Sequence, residues 1–441
     1  MNGPSLRWMS LALPCIAMHA LTAQGGAVAA EVQRVYPGAE ATYLDLHQHP
    51  ELSFHEVETA AKLAAALRGL GYDVTAGVGR VGVVGVLRNG TGPTVMLRTE
   101  LDALPVTEGT GLPYASRVRT KDDAGLEVGV MHACGYDVHM AAWLATARIM
   151  AESRTTWRGT LVVVGQPAEE TVAGAAAMLA DGFLTRFPRP DVALAVHDDP
   201  RIPSGTVGYR LGPAMTNADA LTIHIYGRGG HGARPETTID PIVLAARTVV
   251  ALQTIVAREV SPLDPAVITV GSIHGGTKNN IIPDEVVLQL TVRSFTEPVR
   301  QHLLSAIERI VKAEAVAARA PEPLIAVGPA TRALVNDSAF TRRLVPVLQR
   351  ELGAARVLEG GLEMASEDFS QFHQAGIPTV MLRIGAVEPG RFASAGNGGP
   401  PLPSLHSSLF APDREPTIKT AIAAEVVSLR ELMPVARETR P

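Results

Sequence analysis

Between Val57 and Val196 short apolar runs alternate with helical patterns, and this alternation limits the fold more than any other feature of the chain. A helix pattern over Val57–Leu70 closes at Gly69 and Gly71. Runs at Val81–Arg88 and Thr94–Arg98, a helix pattern at His139–Ala151, a run at Thr160–Val164, a helix pattern at Gly174–Asp181 and a run at Val192–Val196 follow. Continuous apolar runs separated by helices read as strands buried on both faces, which predicts an α/β layer fold with a largely parallel sheet. Sites in such sheets collect at the carboxyl ends of the strands. Asp102, the pair Glu169-Glu170, and His197 each follow one of these runs, so polar groups from three strands are expected at one rim. An earlier helix is expected over Thr42–His49.

The pattern changes after Gly212-Pro213. Leu221–Tyr226 alternates apolar and polar residues, a helix pattern covers Pro241–Val256, and strand patterns at Ala266–Ser272 and Val286–Ser294 precede a helix pattern at Val299–Ala317. That order describes a small α+β module with a half-exposed antiparallel sheet, completed by a strand near Pro321-Glu322-Pro323. The chain then returns to helix Asp337–Leu352, strand Thr379–Ile384 and a last helix near Thr417–Leu432. The expected organisation is a catalytic domain over 31–213 and 331–441, interrupted by an inserted module at 214–330.

The first 30 residues read differently. Arg7, an apolar stretch from Trp8 to Ala23 and the small residues Ala27-Val28-Ala29-Ala30 form a secretory signal pattern, cleaved near Ala29 or Ala30. Pro14, His19 and Gln24 interrupt the stretch, which weakens a retained membrane span. The expected location is therefore periplasmic or extracellular. No later apolar run is expected to cross a bilayer. Cys15 leaves with the signal, so Cys134 has no partner for an internal disulfide. A formal net charge of −5 gives no electrostatic footprint for nucleic acid, and the expected partner is a small molecule.

Cys134 lies in Met131-His132-Ala133-Cys134-Gly135-Tyr136-Asp137-Val138-His139. Alone it is most simply a small buried hydrophobe. Thiolate, imidazole and carboxylate together are the ligands of zinc-type ions, and the chain also offers Glu170, His197 and His406. In the adjacent pair Glu169-Glu170, one carboxylate can ligate metal while the other faces the water as a general base.

The runs His47–Phe54, Leu101–Pro105, Met131–Gly135, Gln166–Glu170, Gly229–Pro235, Gly271–Gly276, Asn280–Asp284, Thr291–Ser294, Ser366–Phe369 and Leu405–Ser407 occur in one order. Across about residues 36–432 the chain resembles the zinc-dependent metallopeptidase family of aminoacylases, hippurate hydrolases and indole-acetyl-amino-acid hydrolases. The resemblance implies a zinc-peptidase-like catalytic domain with a lid and dimerisation domain inserted at 214–330, and hence a homodimer. It implies that Cys134, Glu170, His197 and His406 hold one or two divalent ions, such as zinc, manganese, cobalt or nickel. It makes Glu169 the base, His231 a lid histidine that polarises the scissile carbonyl, and Asn280 and Arg293 the groups that hold a substrate carboxylate.

The implied activity is hydrolysis of the amide bond of N-acyl or N-aminoacyl amino acids. The sequence departs from the family at Tyr136, where a metal-ligating histidine is normal. Milder departures are Glu100 for Asp, Asp198 for an apolar residue and Glu236 for His. His139 is expected to point away along its helix. A neutral phenol is a poor metal ligand. Two other readings therefore stand beside the first: a dipeptidase or carboxypeptidase with the same centre, and a catalytically impaired relative that binds ligand or metal without turnover.

Overall fold

The computed structural model describes residues 27–435. Residues 1–26, which carry most of the expected signal segment, lie outside the described residues. Ala27–Gln48 forms the first helix, α1. It is far longer than the stretch expected from Thr42 and passes through Pro37 without ending. Packing accounts for this: Val28, Val32, Val35, Ala39, Tyr43 and Leu46 recur at helical spacing and are all buried.

The large sheet is built from β1 (Asp73–Val78), β2 (Gly82–Asn89), β3 (Thr94–Glu100), β4 (Gly159–Gln166) and β5 (Val192–Pro203), joined later by a strand at Thr379–Val387. Its order is β1, β2, β4, β3, β5, then the strand at Thr379–Val387, with short strands at the far edge. The four central strands, β4, β3, β5 and Thr379–Val387, run parallel, while β1 and β2 form an antiparallel edge. Helices α2 (Val57–Gly69) and α3 (Tyr136–Glu152) share one core with α1 and the C-terminal helix Arg414–Leu432. Every residue of β3 from Val95 to Glu100 is buried, as two-sided coverage requires.

A separate four-stranded antiparallel sheet comprises Asn217–Tyr226, Ala266–Gly275, Glu285–Ser294 and Leu324–Thr331. In Asn217–Tyr226 every second residue is buried, so one face packs while the other meets solvent. The buried face is covered by helices Pro241–Arg258 and Glu297–Ala317, and these elements form a core of their own. Helix Pro241–Arg258 does reach the length and apolar composition of a membrane span, contrary to the expectation that no later run would. It buries Leu244, Ala245, Leu252 and Ile255 in the core of this module.

Candidate metal centre

β3 and β4 end side by side, and the turn after β4 carries the acidic pair. That turn is held from below. Asp102, just past β3 and fully buried, accepts hydrogen bonds from the backbone N–H of Glu169 (3.0 Å) and of Glu170 (3.0 Å), and from Ser53 Oγ (2.6 Å). The Ala168 N–H donates to the buried carboxylate of Glu56 (2.7 Å). Ala168 and Val172 both take positive φ, 50° and 57°. For β-branched Val172 this is strained backbone that only a well-anchored turn retains. The two glutamate side chains thereby join different groups, Glu170 with Cys134 and His406, Glu169 with Glu367 and Asp368.

Glu170 faces Cys134 and His406. One ligand atom from each of these three residues lies within 4.8 Å of the others. His406 Nε2 is 3.5 Å from Glu170 Oε2, and Cys134 Sγ is 3.8 Å from His197 Nε2. The His197 Nδ1 donates to the Asp198 carbonyl (2.8 Å), which turns Nε2 toward the thiol. Cys134 sits on the turn entering α3. Gly135, next to it, has φ +79°, and a Cβ there would run into the Asp198 carboxylate. His406 has φ 65°, and its N–H donates to the Ala133 carbonyl (2.8 Å), tying the C-terminal loop to the cysteine turn.

Glu169 is turned the other way. Its Oε2 accepts from the Tyr136 hydroxyl (2.7 Å), and its Oε1 from the Asp368 N–H (3.3 Å). Burial, with the nearby charges of Glu367, Asp368 and Glu170, pushes the Glu169 carboxyl well above the usual range. Burial and the charge of Asp102 raise Glu170 to about 8. Burial raises the Cys134 thiol too, and Glu170 adds to the effect.

A thiol, a carboxylate and two imidazoles that crowd together at this energetic cost fit a divalent transition metal, whose charge removes the repulsion. Glu170 Oε1, buried and without a hydrogen-bond partner, supports the fit. All four expected ligands therefore converge on one cavity of about 630 Å3, which Tyr136, Glu169, Glu367 and Arg293 also line.

His197 lies inside β5 rather than beyond its end, because β5 continues to Pro203. Asp198 and Asp199 can stay buried in a strand because each has a cationic partner. Asp198 Oδ1 is 3.2 Å from His139 Nε2, and Asp199 pairs with Arg201 (2.7 Å). His139 does not point away as expected. Three residues after Tyr136 on α3, it falls on the same helix face, with its ring centroid 5.3 Å from Tyr136 and 4.9 Å from His197. Its Nδ1 meets Glu100 Oε2 at 2.9 Å. Burial disfavours charge on His139, but Glu100 and Asp198 outweigh it and raise the ring to about 10.

His231 and Asn280 are not brought into the cavity. They sit together on an exposed two-stranded ribbon of the second module, where Gly230-His231 pairs with Ile281-Ile282 and the Gly232 N–H donates to the Asn280 carbonyl (2.9 Å). Arg293, from strand Glu285–Ser294, does reach the cavity, and its Nη1 donates to the Met364 carbonyl (2.8 Å).

Sequence reasoning missed the scaffold around Arg98. This fully buried arginine donates to Gln166 (3.0 Å), Glu367 (2.8 Å) and Asp368 (3.1 Å) and pairs with Glu100. The signal was present: a guanidinium in the middle of an apolar strand can be buried only with several acceptors.

Three comparisons with known proteins agree with this geometry. Residues 96–397 match the model of peptidase family M20/M25/M40. The chain is 38% identical over 337 residues to an N-acetyl-L-cysteine deacetylase of Bacillus subtilis (strain 168), covering 74% of this chain and 75% of that protein. It is 36% identical over 333 residues to thermostable carboxypeptidase 1 of Saccharolobus solfataricus, covering 75% of this chain and 81% of that protein. The crystal structure of the Bacillus subtilis YXEP protein, described as a dinuclear metal binding peptidase, superimposes with a TM-score of 0.73 at 29% identity. It covers 90% of this chain and 98% of that one. With the residue match spanning most of both domains, the chain belongs to peptidase family M20/M25/M40 and is an amidohydrolase of the metallopeptidase type.

Proposed function

We propose that the protein hydrolyses the amide bond of N-acyl or N-aminoacyl amino acids. The observation that carries this reading is the split orientation of the acidic pair, with Glu170 among the ligand atoms and Glu169 beside them in the same cavity. A divalent ion (zinc, manganese, cobalt or nickel) held by Cys134, Glu170, His197 and His406 would supply Lewis-acid polarisation of water and carbonyl. Glu169 takes the proton of the attacking water and returns it to the leaving amine nitrogen, a role open to a carboxylate in the same cavity as the proposed ligands. Tyr136 orients that carboxylate through its hydroxyl. Arg293 binds the substrate carboxylate with its guanidinium fork, and Asn280 assists. His231 would stabilise the oxyanion, which requires the module at 214–330, of this chain or of a second copy, to swing its ribbon over the cavity. In this reading that module is a lid and dimerisation domain on a catalytic domain formed by 31–213 and 331–441.

The experiment is a hydrolysis screen of metal-loaded protein with N-acetyl and N-benzoyl amino acids, with Glu169→Gln as control. The variant is expected to keep its metal and lose roughly 10²-fold or more in turnover, the scale of a positioned acid–base group. Absence of hydrolysis with every substrate at full metal loading would sink the proposal and favour the impaired relative that only binds. The identity to a carboxypeptidase keeps one neighbouring reading, cleavage of a C-terminal residue by the same centre, and dipeptides belong in the screen for that reason. Export to the periplasm or beyond is part of the proposal. Recovery of exported protein with an intact N-terminus, rather than one cut near Ala29 or Ala30, would contradict it.

A further inference from the structure

Along β5, His197 and Asp199, two apart, project to one side of the sheet; the register slips after Asp199, and Arg201 is held on that side by its hydrogen bonds to Asp199. On the neighbouring parallel strand Arg383 is the register partner of His197 and projects to that side too. The face that presents a metal ligand therefore continues directly into a patch of ions.

Within this patch the carboxylates are already engaged. Arg201 donates to both oxygens of Asp199 (2.9 and 2.7 Å) and also pairs with Glu363. Arg383 makes no side-chain hydrogen bond among the described residues, and its Nη2 is buried without a partner. A guanidinium with a desolvated, unmatched N–H is costly in the free protein and invites an anion.

Asp199, Arg201, Glu363 and Arg383 line the metal cavity and also a second cavity of about 340 Å3. Leu334, Leu358 and Met381 give this second cavity an apolar wall. The junction thus offers a guanidinium that helps hold the Asp199 carboxyl below its usual range yet keeps an unused Nη2 donor, beside a space suited to a short aliphatic chain.

We propose that the two cavities form one substrate channel in which Arg383 binds a second carboxylate, so that the preferred substrates are N-acyl amino acids carrying two carboxylates. This rests on the amide hydrolysis proposed above, with Arg293 taking one carboxylate and Arg383 the other. The second carboxylate belongs either to a dicarboxylic acyl group or to an acidic amino-acid side chain.

The test measures kcat/KM of the metal-loaded full chain on two matched pairs: N-succinyl-L-alanine against N-butanoyl-L-alanine, and N-acetyl-L-glutamate against N-acetyl-L-glutamine. At least one diacid is expected to be preferred by about tenfold or more, the scale of a charge-assisted hydrogen bond. The favoured pair identifies the source of the carboxylate. Arg383→Gln is expected to reduce that ratio about tenfold, and Arg383→Lys to restore part of it. Equal rates within both pairs, or a ratio that Arg383→Gln leaves intact, would overturn the proposal.

Calorimetric binding of glutarate and butyrate to the unaltered metal-loaded protein reads the subsite without any variant and without turnover. Glutarate is expected to bind at least tenfold more tightly, and equal affinities would again overturn the idea. Hydrolysis of the monocarboxylate substrates without diacid preference would sink only this inference. No hydrolysis of any of the four substrates would instead count against the amide-hydrolase reading.

Discussion

Tyr136 offers the most discriminating perturbation. Its hydroxyl lies 2.7 Å from Glu169 Oε2 in a fully buried setting, so Tyr136→Phe removes one hydrogen bond to a carboxylate and little volume. Hydrogen bonds to charged groups contribute about 1.5–3 kcal/mol, and about 1.4 kcal/mol corresponds to a factor of ten. If the phenol orients the base, kcat should fall roughly 10- to 100-fold with KM nearly unchanged, because the carboxylate-binding Arg293 is untouched.

The same residue bears on ion number. Its hydroxyl is committed as a donor to Glu169 Oε2, and a hydroxyl that donates there does not serve as a phenolate ligand. The centre is therefore expected to bind nearer one ion than two per chain at modest metal concentration. Tyr136→His should add an imidazole and raise occupancy. The assay is a metal titration of the unaltered protein and both variants, with activity read at each point. Turnover of Tyr136→Phe within twofold of the unaltered protein would refute the orienting role. Two tightly held ions in the unaltered protein, or no gain in occupancy for Tyr136→His, would refute the one-ion argument.

Cys134→Ala should lose metal and activity together, and elemental analysis showing unchanged metal would remove the ligand assignment. Arg293→Ala should raise KM for carboxylate-bearing substrates by tenfold or more, and Asn280→Ala should do so only if the ribbon closes over the cavity; unchanged KM in both would remove the pocket assignment. His47, buried between Asp137 (2.6 Å) and Glu108 (3.2 Å), is opposed by burial but raised by these two partners to about 10. Its folded value exceeds the unfolded 6.5, so its contribution is complete below that pH and is lost as pH rises toward 10. His47→Gln should cost about 3–5 kcal/mol by stranding two carboxylates and should flatten the decline of Tm between pH 6.5 and 10; an unchanged slope would show that His47 is not charged.

The parallel sheet was legible because its strands are continuous apolar runs, and the second sheet because Asn217–Tyr226 alternates. The four proposed ligand residues were legible as metal-binding chemistry and in order. Their convergence was not, since Cys134 and His406 meet only through a loop whose N–H bonds to Ala133. Period and propensity also failed at Pro37, where tertiary packing carries α1 through a residue that usually ends a helix. They failed again at Asp198, whose acidity reads as loop until His139 is seen beside it. Partners distant in sequence leave no local pattern, and the Arg98 cluster, joining residue 98 to 367 and 368, is one such case.

That cluster has a bearing on how the protein comes to be active. Arg98 lacks its partners Glu367 and Asp368, and Glu169 cannot be seated on the Asp368 N–H, until the chain has been made beyond residue 368; the last of the proposed ligands, His406, comes later still. The first half of the large sheet therefore exists during synthesis with its central guanidinium held by Glu100 and Gln166 alone, two of its partners still to come. On the proposed ligand set, metal capture follows the joining of the strand at Thr379–Val387, so a chain truncated before residue 406 would lack one ligand however complete its N-terminal part.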